Sequence, residues 1–390
     1  MTTVTYETPN FDLSEDLRML RDSVRDFCDR EIAPGAAKRD ANHEFPHEIL
    51  KKLREMQLMG ITIPEQYGGA GLGNLALSVV LEEINRADAS VGVTLSVHNS
   101  LLGGPILKFG SDELKNRFLP KLASGELLGA YALTEPQAGS DSANLRLKAE
   151  KKGDRWILNG TKIWITSGDQ AGLMIVFART NFDANVHKAK GITAFVVDTK
   201  TKGFKVGKLE EKCGIRSSST VEIILEDLEV GDENRLGNVN EGFKIAMDTL
   251  DGGRIGIASQ ALGIHRACLE ASIKYSKERQ QFNTPLAEFQ AIQWKIADMA
   301  TDLEAARLLV HKCAVLRDHG RPCTREASMA KLFASRACNK AADEAVQIHG
   351  GAGYTKDFPV ERYFRDARIT EIYEGVTDIQ RLVIARSYLK

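Results

Sequence analysis

One carboxylate near the end of the chain has the neighbours that a general base requires. Glu374 lies between an aromatic residue, Tyr373, and a glycine, Gly375. Burial beside apolar surface raises the pKa of a carboxyl group because it disfavours the charged form, and a raised pKa suits proton abstraction near neutral pH. The glycine lets backbone approach a ligand closely. The alternative is an ordinary surface turn, so the interpretation as a base depends on the residues upstream.

Two segments in the middle of the chain place hydroxyl and aromatic side chains at the ends of predicted strands. Residues 131–141 (YALTEPQAGSD) run from a strand into a glycine loop whose backbone N–H groups could face an electron-rich ligand. In residues 162–168 (KIWITSG), Trp164 and Thr166 alternate with isoleucines and therefore share one face of a strand. An indole beside a hydroxyl suits a flat heteroaromatic ring. Each segment also has an ordinary interpretation, the first as a strand-end turn and the second as core packing.

Composition and charge exclude several classes of protein. The chain has 390 residues, of which 43% are hydrophobic and 27% charged, which is typical of a globular protein of two or three domains. The net charge of −1 gives no general attraction to nucleic acid. No apolar run reaches the roughly 18 residues that membrane insertion needs. The N-terminal segment shows no leader, so we expect the protein in the cytoplasm, or in the mitochondrial matrix if a leader has been removed.

The cysteines, histidines and glycines do not form the usual metal or nucleotide motifs. Six cysteines lack C-x-x-C spacing and eight histidines lack an H-E-x-x-H pattern, so we expect reduced thiols and no metal site. The glycine clusters at 68–73 and 350–353 do not have the G-x-G-x-x-G spacing of a Rossmann fingerprint, and no P-loop is present.

The hydrophobic pattern changes its period twice and divides the chain into three domains of an α+β fold. Residues 1–128 have helical spacing, residues 129–240 have short runs rich in β-branched residues, and residues 241–390 have long helical segments. No segment between the strands is long enough for a crossover helix, which favours antiparallel pairing. We therefore predict an N-terminal α-helical domain, a middle antiparallel β domain and a C-terminal four-helix bundle.

The pattern also predicts the individual elements. Ser14 is a candidate N-cap for the first helix. Helices are expected in the first domain at 14–31, 46–58, 74–86 and 112–124, with a buried helix at 91–108 that is interrupted near Gly103-Gly104-Pro105. Strands are expected at 128–134, 155–158, 162–166, 172–179, 191–198, 204–208 and 220–229. The helices of the bundle are expected at 242–276, 285–318, 324–349 and 372–389.

The three motifs, in this order along the chain, resemble those of the acyl-CoA dehydrogenase family. The resemblance covers essentially the whole chain and implies FAD as the cofactor and an acyl-CoA thioester as the substrate. It implies α,β-dehydrogenation to trans-2-enoyl-CoA, in which Glu374 takes the α-proton and the β-hydrogen leaves as hydride to the flavin. It also implies an electron-transfer flavoprotein as the electron acceptor and a homo-oligomer, expected to be a tetramer.

The resemblance assigns binding roles to residues of this sequence, position by position. The flavin is expected to lie against Tyr131, Leu133, Thr134, Gly139, Ser140, Trp164, Ile165, Thr166, Val376 and Asp378. The diphosphate and adenine of the FAD of a neighbouring subunit are expected at Arg279, Phe282, Gln290, Gln347, Gly350 and Gly351. The acyl-CoA is expected at Ser140, Asp251, Arg254, Tyr373 and Gly375. Taken alone, Arg279 would be a solvated helix end, and Asp251 with Arg254 would be a surface ion pair.

Two positions are informative because of what they lack. Relatives that act on branched or very long chains carry their base just before the arginine of the CoA segment, where this chain has Gly253, so Glu374 is the base that remains. Val376 stands where the family usually has threonine, so one hydroxyl contact near the flavin is lost or is supplied by Thr377.

The resemblance is strongest to the short-chain, butyryl-type branch. Residues 95–101 and 251–264 carry this likeness and lead us to expect acyl groups of about four carbons, with overlap into medium chains because a pocket discriminates by only about 1–3 kcal/mol per methylene. The alternatives are a dehydrogenase for medium or branched chains, a flavin oxidase or monooxygenase of the same fold, and a scaffold that has lost its flavin.

Overall fold

The structure is a computed structural model that describes residues 12–389. It consists of a helical N-terminal domain, a middle β domain and a helical C-terminal domain, which confirms the predicted order. None of the described helices is long and apolar enough to cross a membrane.

The N-terminal domain contains seven α-helices between residues 12 and 128. They are α1 (Glu15–Phe27), α2 (Ala33–Asn42), α3 (His47–Glu55), α4 (Gly73–Ala87), α5 (Ala89–Ser96), α6 (Gly104–Phe109) and α7 (Asp112–Ala123). Ser14 caps α1 as predicted, since its side chain accepts a hydrogen bond from the Leu17 amide at 3.3 Å.

The buried helix of this domain is not interrupted where the sequence suggested. Helices α5 and α6 are joined by a π-helical segment, Val97–Gly103, and the helical path continues to Phe109. Pro105 has no N–H to donate, so the backbone hydrogen-bond pattern must change at this point of the continuous helix. The predicted break at Gly103-Gly104-Pro105 is therefore a change of helical pitch.

The middle domain is one sheet of eight strands. They are β1 (Gly129–Ala132), β2 (Lys148–Lys152), β3 (Arg155–Thr166), β4 (Leu173–Arg179), β5 (Ile192–Asp198), β6 (Phe204–Leu209), β7 (Thr220–Gly231) and β8 (Arg235–Leu236). The order is β6-β7-β3-β2-β4-β5-β8, with β1 beside β4. The two strands predicted at 155–158 and 162–166 are one strand, β3, whose register shifts at Gly160.

Most of the strand pairs are antiparallel as predicted, but the prediction is wrong for two of them. Strand β1 runs parallel to β4, and the end of β2 also pairs with β4 in parallel. The sequence argument considered only helices as crossover connections. Here the hairpin of β2 and β3 makes the crossover between β1 and β4.

The C-terminal domain contains three long helices and two short ones. They are α8 (Gly242–Glu278), α9 (Gln290–Asp318), α10 (Thr324–His349), α11 (Val360–Ile369) and α12 (Thr377–Leu389). A small hairpin of β9 (Gln280–Gln281) and β10 (Thr284–Pro285) occupies the start of the helix predicted at 285–318. Helix α11 was not predicted. The segment 372–376, predicted to open the last helix, is a turn.

Small side chains let these helices pack closely. The core they share includes Ala258, Ala261, Ala306, Ala330 and Ala334, all buried. Helix α4 of the first domain packs on α8, where the hydroxyls of Ser78 and Ser259 are 2.8 Å apart. The fold thus brings the first third of α8, the first third of α10, β1 and the turn before α12 around one site, and the end of β3 lies beside the end of β1.

Candidate active site

Glu374 lies in the turn between α11 and α12, and this turn has an uncommon backbone. Glu374 has φ of 55° and Gly375 has φ of 88°, and a non-glycine residue rarely adopts a positive φ. Side-chain donors from two helices hold the turn. The Gln380 amide donates to the carbonyls of Glu374 at 3.1 Å and Gly375 at 2.8 Å, and the Lys331 ammonium donates to the Gly375 carbonyl at 2.8 Å. The turn aims the Glu374 carboxylate inward.

Oε2 of Glu374 is buried and has no hydrogen-bond partner among the described residues, whereas the residue as a whole is half-buried. It rests against α8, because a Cβ placed on Gly253 would lie 2.6 Å from Oε2. Burial raises the pKa of Glu374 to about 7, and the positive charges of Arg254 and Lys331 oppose this rise. The raised pKa expected from the sequence is confirmed.

Two tyrosines frame the carboxylate. Tyr131, at the end of β1, packs edge-on against Phe177, and its hydroxyl is buried without a partner in the described part of the chain. The hydroxyl of Tyr373 hydrogen-bonds Oε1 of Gln260. Burial, and then the charge of Glu374, raise the pKa of both phenols well above their usual range. Both tyrosines therefore stay neutral and cannot compete as acids or bases near neutral pH.

Asp251 and Arg254 form a buried ion pair on α8. Nη1 of Arg254 donates to Oδ1 of Asp251 at 2.8 Å, and the Thr324 hydroxyl donates to Oδ2 at 2.5 Å. Their side chains are only 9% and 6% exposed, so the alternative of a surface pair is wrong. Burial raises the pKa of Asp251. Nε of Arg254 has no partner within residues 12–389, which leaves a buried donor close to the base.

The ends of β1 and β3 form one cradle. The Ile163 amide donates to the Thr134 carbonyl at 3.0 Å. Lys162, fully buried, donates to the Leu133 carbonyl at 3.0 Å and to Oε1 of Glu135 at 2.7 Å. The backbone amides of residues 146 and 147 also donate to the Glu135 carboxylate. A satisfied buried network of this kind fixes the loop after β1 against β3.

Trp164 and Thr166 lie at the end of β3, beside this cradle. Trp164 has φ of 60° in a β-bulge and is 57% exposed, so the interpretation as core packing is wrong. Thr166 is half-buried at the end of β3, whereas the side chains of Ile165 and Leu133 are buried. An exposed indole on a rigid sheet fits a flat cofactor ring.

The remaining residues predicted near the flavin are at the rim. Gly139 and Ser140 are exposed in the loop after β1, and a Cβ on Gly139 would meet open space. Val376 is half-buried beside the base. Asp378 is exposed at the start of α12, where it pairs with Arg381 at 2.6 Å. Side-chain geometry therefore gives Asp378 a role in the helix end, and a ligand role for it stays a prediction.

A second group of predicted residues lies at the other end of the C-terminal domain. Arg279 and Phe282 follow the end of α8, and Gln347 and Gly350 lie at the end of α10. The two helix ends are in contact, because the rings of Tyr275 and His349 stack with their centres 4.2 Å apart. All members of the group are exposed: Arg279, Phe282 (89%), Gln290, Gln347, Gly350 and Gly351.

No hydrogen bond or ion pair between described residues links this distal group to the cradle. Arg279 follows Arg254 by 25 residues along the continuous helix α8, which is about 37 Å at 1.5 Å per residue, so the distal group lies far from the base within one chain.

Sequence reasoning missed two residues that touch the base turn. Gln380 and Lys331 were not singled out, although Lys331 lies at helical spacing from Ala327 and Ala334, on the core side of α10. A lysine on such a face is the signal that would have found it.

Sequence and structure comparisons identify the family. The model of the acyl-CoA dehydrogenase N-terminal domain matches residues 14–126, that of the middle domain residues 130–228, and that of the C-terminal domain residues 240–389. The chain belongs to the acyl-CoA dehydrogenase family. It is therefore an oxidoreductase that uses FAD, and the exposed indole, the open loop and the buried carboxylate fit that cofactor.

Particular relatives are similar over nearly the full length. The mitochondrial short-chain specific acyl-CoA dehydrogenase of Mus musculus is 50% identical over 379 residues, covering 97% of this chain and 91% of that protein. The structure of butyryl-CoA dehydrogenase from Megasphaera elsdenii matches with a TM-score of 0.96 and 42% identity, over 98% of this chain and 100% of that one. A chain from the structure of the electron transferring flavoprotein of Acidaminococcus fermentans matches with a TM-score of 0.96 and 46% identity, over 98% and 100%.

Proposed function

We propose that this protein dehydrogenates short-chain acyl-CoA thioesters to trans-2-enoyl-CoA, with Glu374 as the base that removes the α-proton. One observation carries the proposal. Glu374 presents a buried carboxylate oxygen without a partner in the described structure, and its pKa is raised to about 7. A base of this strength can take a proton near neutral pH and is not occupied by another contact.

The turn that holds Glu374 also offers a donor to the thioester oxygen. None of the hydrogen bonds between described residues uses the Glu374 amide. Negative charge develops on that oxygen as the α-proton leaves, and a fixed N–H donor stabilises it. The two neutral tyrosines and the packed helices exclude water, which strengthens these polar contacts.

FAD, when bound, supplies the acceptor for the hydride that leaves the β-carbon. We propose that Trp164, Thr166, Thr134 and the loop at Gly139 and Ser140 hold the flavin, because they line one rigid cradle. The buried pair of Asp251 and Arg254 is proposed to bind the acyl-CoA, as the family resemblance implies. The unpaired Nε of Arg254 supports this role.

The preference for short acyl groups rests on likeness and on close packing near the base. The Mus musculus relative and the Megasphaera elsdenii structure carry short-chain and butyryl specificity in their names. In this chain a Cβ on Gly253 would lie 2.8 Å from Leu101, so α8 and the π-helical segment meet next to the carboxylate. Little room beside the base supports a short acyl chain.

The distal group supports a homo-oligomer with shared FAD sites. Its six residues are exposed at one end of the C-terminal domain and are chemically apt for a diphosphate and an adenine, with a guanidinium and a glycine turn. We propose a tetramer in which one subunit completes the FAD site of another. An electron-transfer flavoprotein is proposed as the acceptor, supported by the Acidaminococcus fermentans neighbour. The cytoplasm, or the mitochondrial matrix if a leader has been removed, remains the compartment expected from the sequence.

Anaerobic flavin bleaching tests the proposal. The purified protein should be yellow, and butyryl-CoA should bleach it faster than octanoyl-CoA or isovaleryl-CoA at equal concentration. Bleaching by octanoyl-CoA or isovaleryl-CoA alone would reject the short-chain assignment. Rapid reoxidation by oxygen during turnover would indicate an oxidase, and a colourless protein that takes up no FAD would indicate a scaffold.

A further inference from the structure

Lys331 is a fully buried lysine in the first third of α10. Its side chain has no solvent exposure, and its neighbours on the helix face, Ala327, Ala330 and Ala334, are buried as well. A buried ammonium costs several kcal/mol unless hydrogen bonds and opposite charge offset the loss of water. The residues around Lys331 should therefore show what offsets this cost.

The hydrogen bond of Lys331 goes to the turn that carries the base. Its Nζ donates to the Gly375 carbonyl at 2.8 Å, and the Gln380 amide donates to the same oxygen at 2.8 Å. Gly375 follows Glu374 directly, and both residues have positive φ. Lys331 thus connects the rigid helix α10 to the one backbone segment whose conformation aims the carboxylate.

The charges around Lys331 make it a partner of Glu374. The charged groups that face it are Glu374 and Glu371 of the turn and Arg254 of α8, while α12 contributes the neutral Gln380. Burial lowers the pKa of Lys331 to about 8, against the opposing effect of the two glutamates. Near neutral pH the ammonium is charged and favours the carboxylate form of Glu374.

We infer that Lys331 is a positioning residue for the base: it fixes the Gly375 carbonyl and supplies the positive charge that keeps Glu374 ionised for proton abstraction. This inference rests on the proposed function of Glu374. It separates two roles for one side chain, since the hydrogen bond orients the turn and the charge sets the protonation of the base.

Two substitutions separate the roles. Lys331→Met removes the charge and the donor while keeping a similar side-chain volume, and it leaves the facing carboxylates of Glu374 and Glu371 without this counter-charge. Lys331→Gln keeps a donor but removes the charge. Lys340→Met is the matched control, because Lys340 is an exposed lysine on the same helix that pairs with Asp302 at 3.3 Å.

The first measurement is anaerobic flavin reduction by butyryl-CoA between pH 5.5 and 9.5. At each pH, the rate constant for reduction is divided by the dissociation constant of the substrate, and this ratio is plotted against pH. The wild-type value should rise with a midpoint near the pKa of Glu374, about 7. In both Lys331 variants the midpoint should move up by about one pH unit, because a nearby positive charge typically shifts a carboxyl pKa by about that much or more. The ratio of the reduction rate constant to the substrate dissociation constant should therefore be about tenfold lower in the variants than in wild type at pH 6, and within about twofold of wild type at pH 9.

The second measurement reads Glu374 without turnover. The infrared carboxyl band of Glu374 is identified as the band that disappears in Glu374→Gln. The intensity of this band is then followed against pH in wild type, Lys331→Met and Lys331→Gln. Its midpoint should move up in both Lys331 variants and stay unchanged in Lys340→Met.

An unchanged infrared midpoint in both Lys331 variants would overturn the inference. A wild-type midpoint in Lys331→Gln alone would also overturn the charge role, because only the hydrogen bond would then matter. If Lys331→Met fails to retain FAD, the infrared midpoint of Lys331→Gln is used alone, and an unchanged midpoint there overturns the inference. Full bleaching of Glu374→Gln at the wild-type rate would instead reject the proposed base, so the two failures are distinguishable.

Discussion

At the scale of single residues, the position of Glu374 depends on the absence of a side chain at Gly253. A Cβ there would come within 2.6 Å of the carboxylate oxygen and 2.8 Å of Leu101, which are closer than real contacts allow. Gly253 stands where some relatives carry their base, and its lack of a side chain leaves the space that the Glu374 carboxylate occupies. The two positions cannot both carry a full side chain without movement of the turn.

We expect Gly253→Ala to slow anaerobic flavin reduction by butyryl-CoA by about a hundredfold, because a base displaced by about 1 Å loses its alignment. FAD content should stay unchanged. Gly252→Ala is the control: it adds the same methyl group to the same helix, but its Cβ would meet only the mobile end of Arg317, at 3.3 Å. Equal rates for Gly253→Ala and the control would show that the carboxylate does not need this space.

Single residues also mark where the sequence was sufficient and where it was not. The raised pKa of Glu374 followed from its aromatic and glycine neighbours. The exposure of Trp164 did not follow from alternation, because the bulge at Lys162–Ile165 and the positive φ depend on how β3 pairs with β7. Lys331 was missed because its acceptor lies 44 residues away in sequence.

At the scale of elements, the cradle depends on a buried charge pair between two strand ends. Lys162 of β3 reaches the Leu133 carbonyl and Glu135, and it thereby fixes the loop that carries Thr134. Burial lowers the pKa of Lys162 to about 8, and the Glu135 charge opposes this effect. A pair buried this deeply positions elements more than it stabilises the fold, since desolvation offsets most of the attraction.

We expect Lys162→Met to weaken FAD binding about tenfold, because the loop after β1 loses its link to β3 and a buried carboxylate loses its counter-charge. Lys205→Met is the matched control on β6, where Lys205 forms an exposed pair with Glu226 at 2.5 Å. Titration of the two apoproteins with FAD measures the difference. Equal affinity for FAD in both variants would show that the pair of Lys162 and Glu135 is not needed to hold the cradle in place.

The order of helices and strands was predictable because helical and strand patterns have different periods. The neighbours of each strand in the sheet were not predictable. The parallel contact of β1 with β4 joins residues 129 and 173, and nothing local in either strand encodes it. Helix α11 was missed although Val360, Tyr363, Phe364 and Ala367 recur at helical spacing directly after a proline, so its signal was present in the sequence.

At the scale of the whole molecule, the two groups of predicted FAD contacts are separate in one chain. The cradle lies on the sheet, and the distal group is exposed at one end of the C-terminal domain, with Phe282 89% exposed. In the proposed tetramer, a second copy of the chain supplies the part of the FAD site that each chain lacks.

We expect Arg279→Ala to weaken FAD retention about tenfold, because a charge-assisted hydrogen bond to a diphosphate is lost, and to weaken subunit assembly. Flavin content after extensive dialysis and molar mass by light scattering are the measurements. Arg155→Ala, an exposed arginine of β3 at 56% side-chain exposure, is the control. Wild-type flavin content and mass in Arg279→Ala would contradict a shared site.

The most direct test of the account is the anaerobic reduction of the Glu374→Gln variant by butyryl-CoA. Glutamine has nearly the same size and can keep the turn and the FAD, but it cannot take a proton. We predict a yellow protein whose bleaching is slower than wild type by about 10²–10⁴-fold, the usual contribution of a general base. Bleaching at the wild-type rate would contradict the assignment of Glu374 as the base.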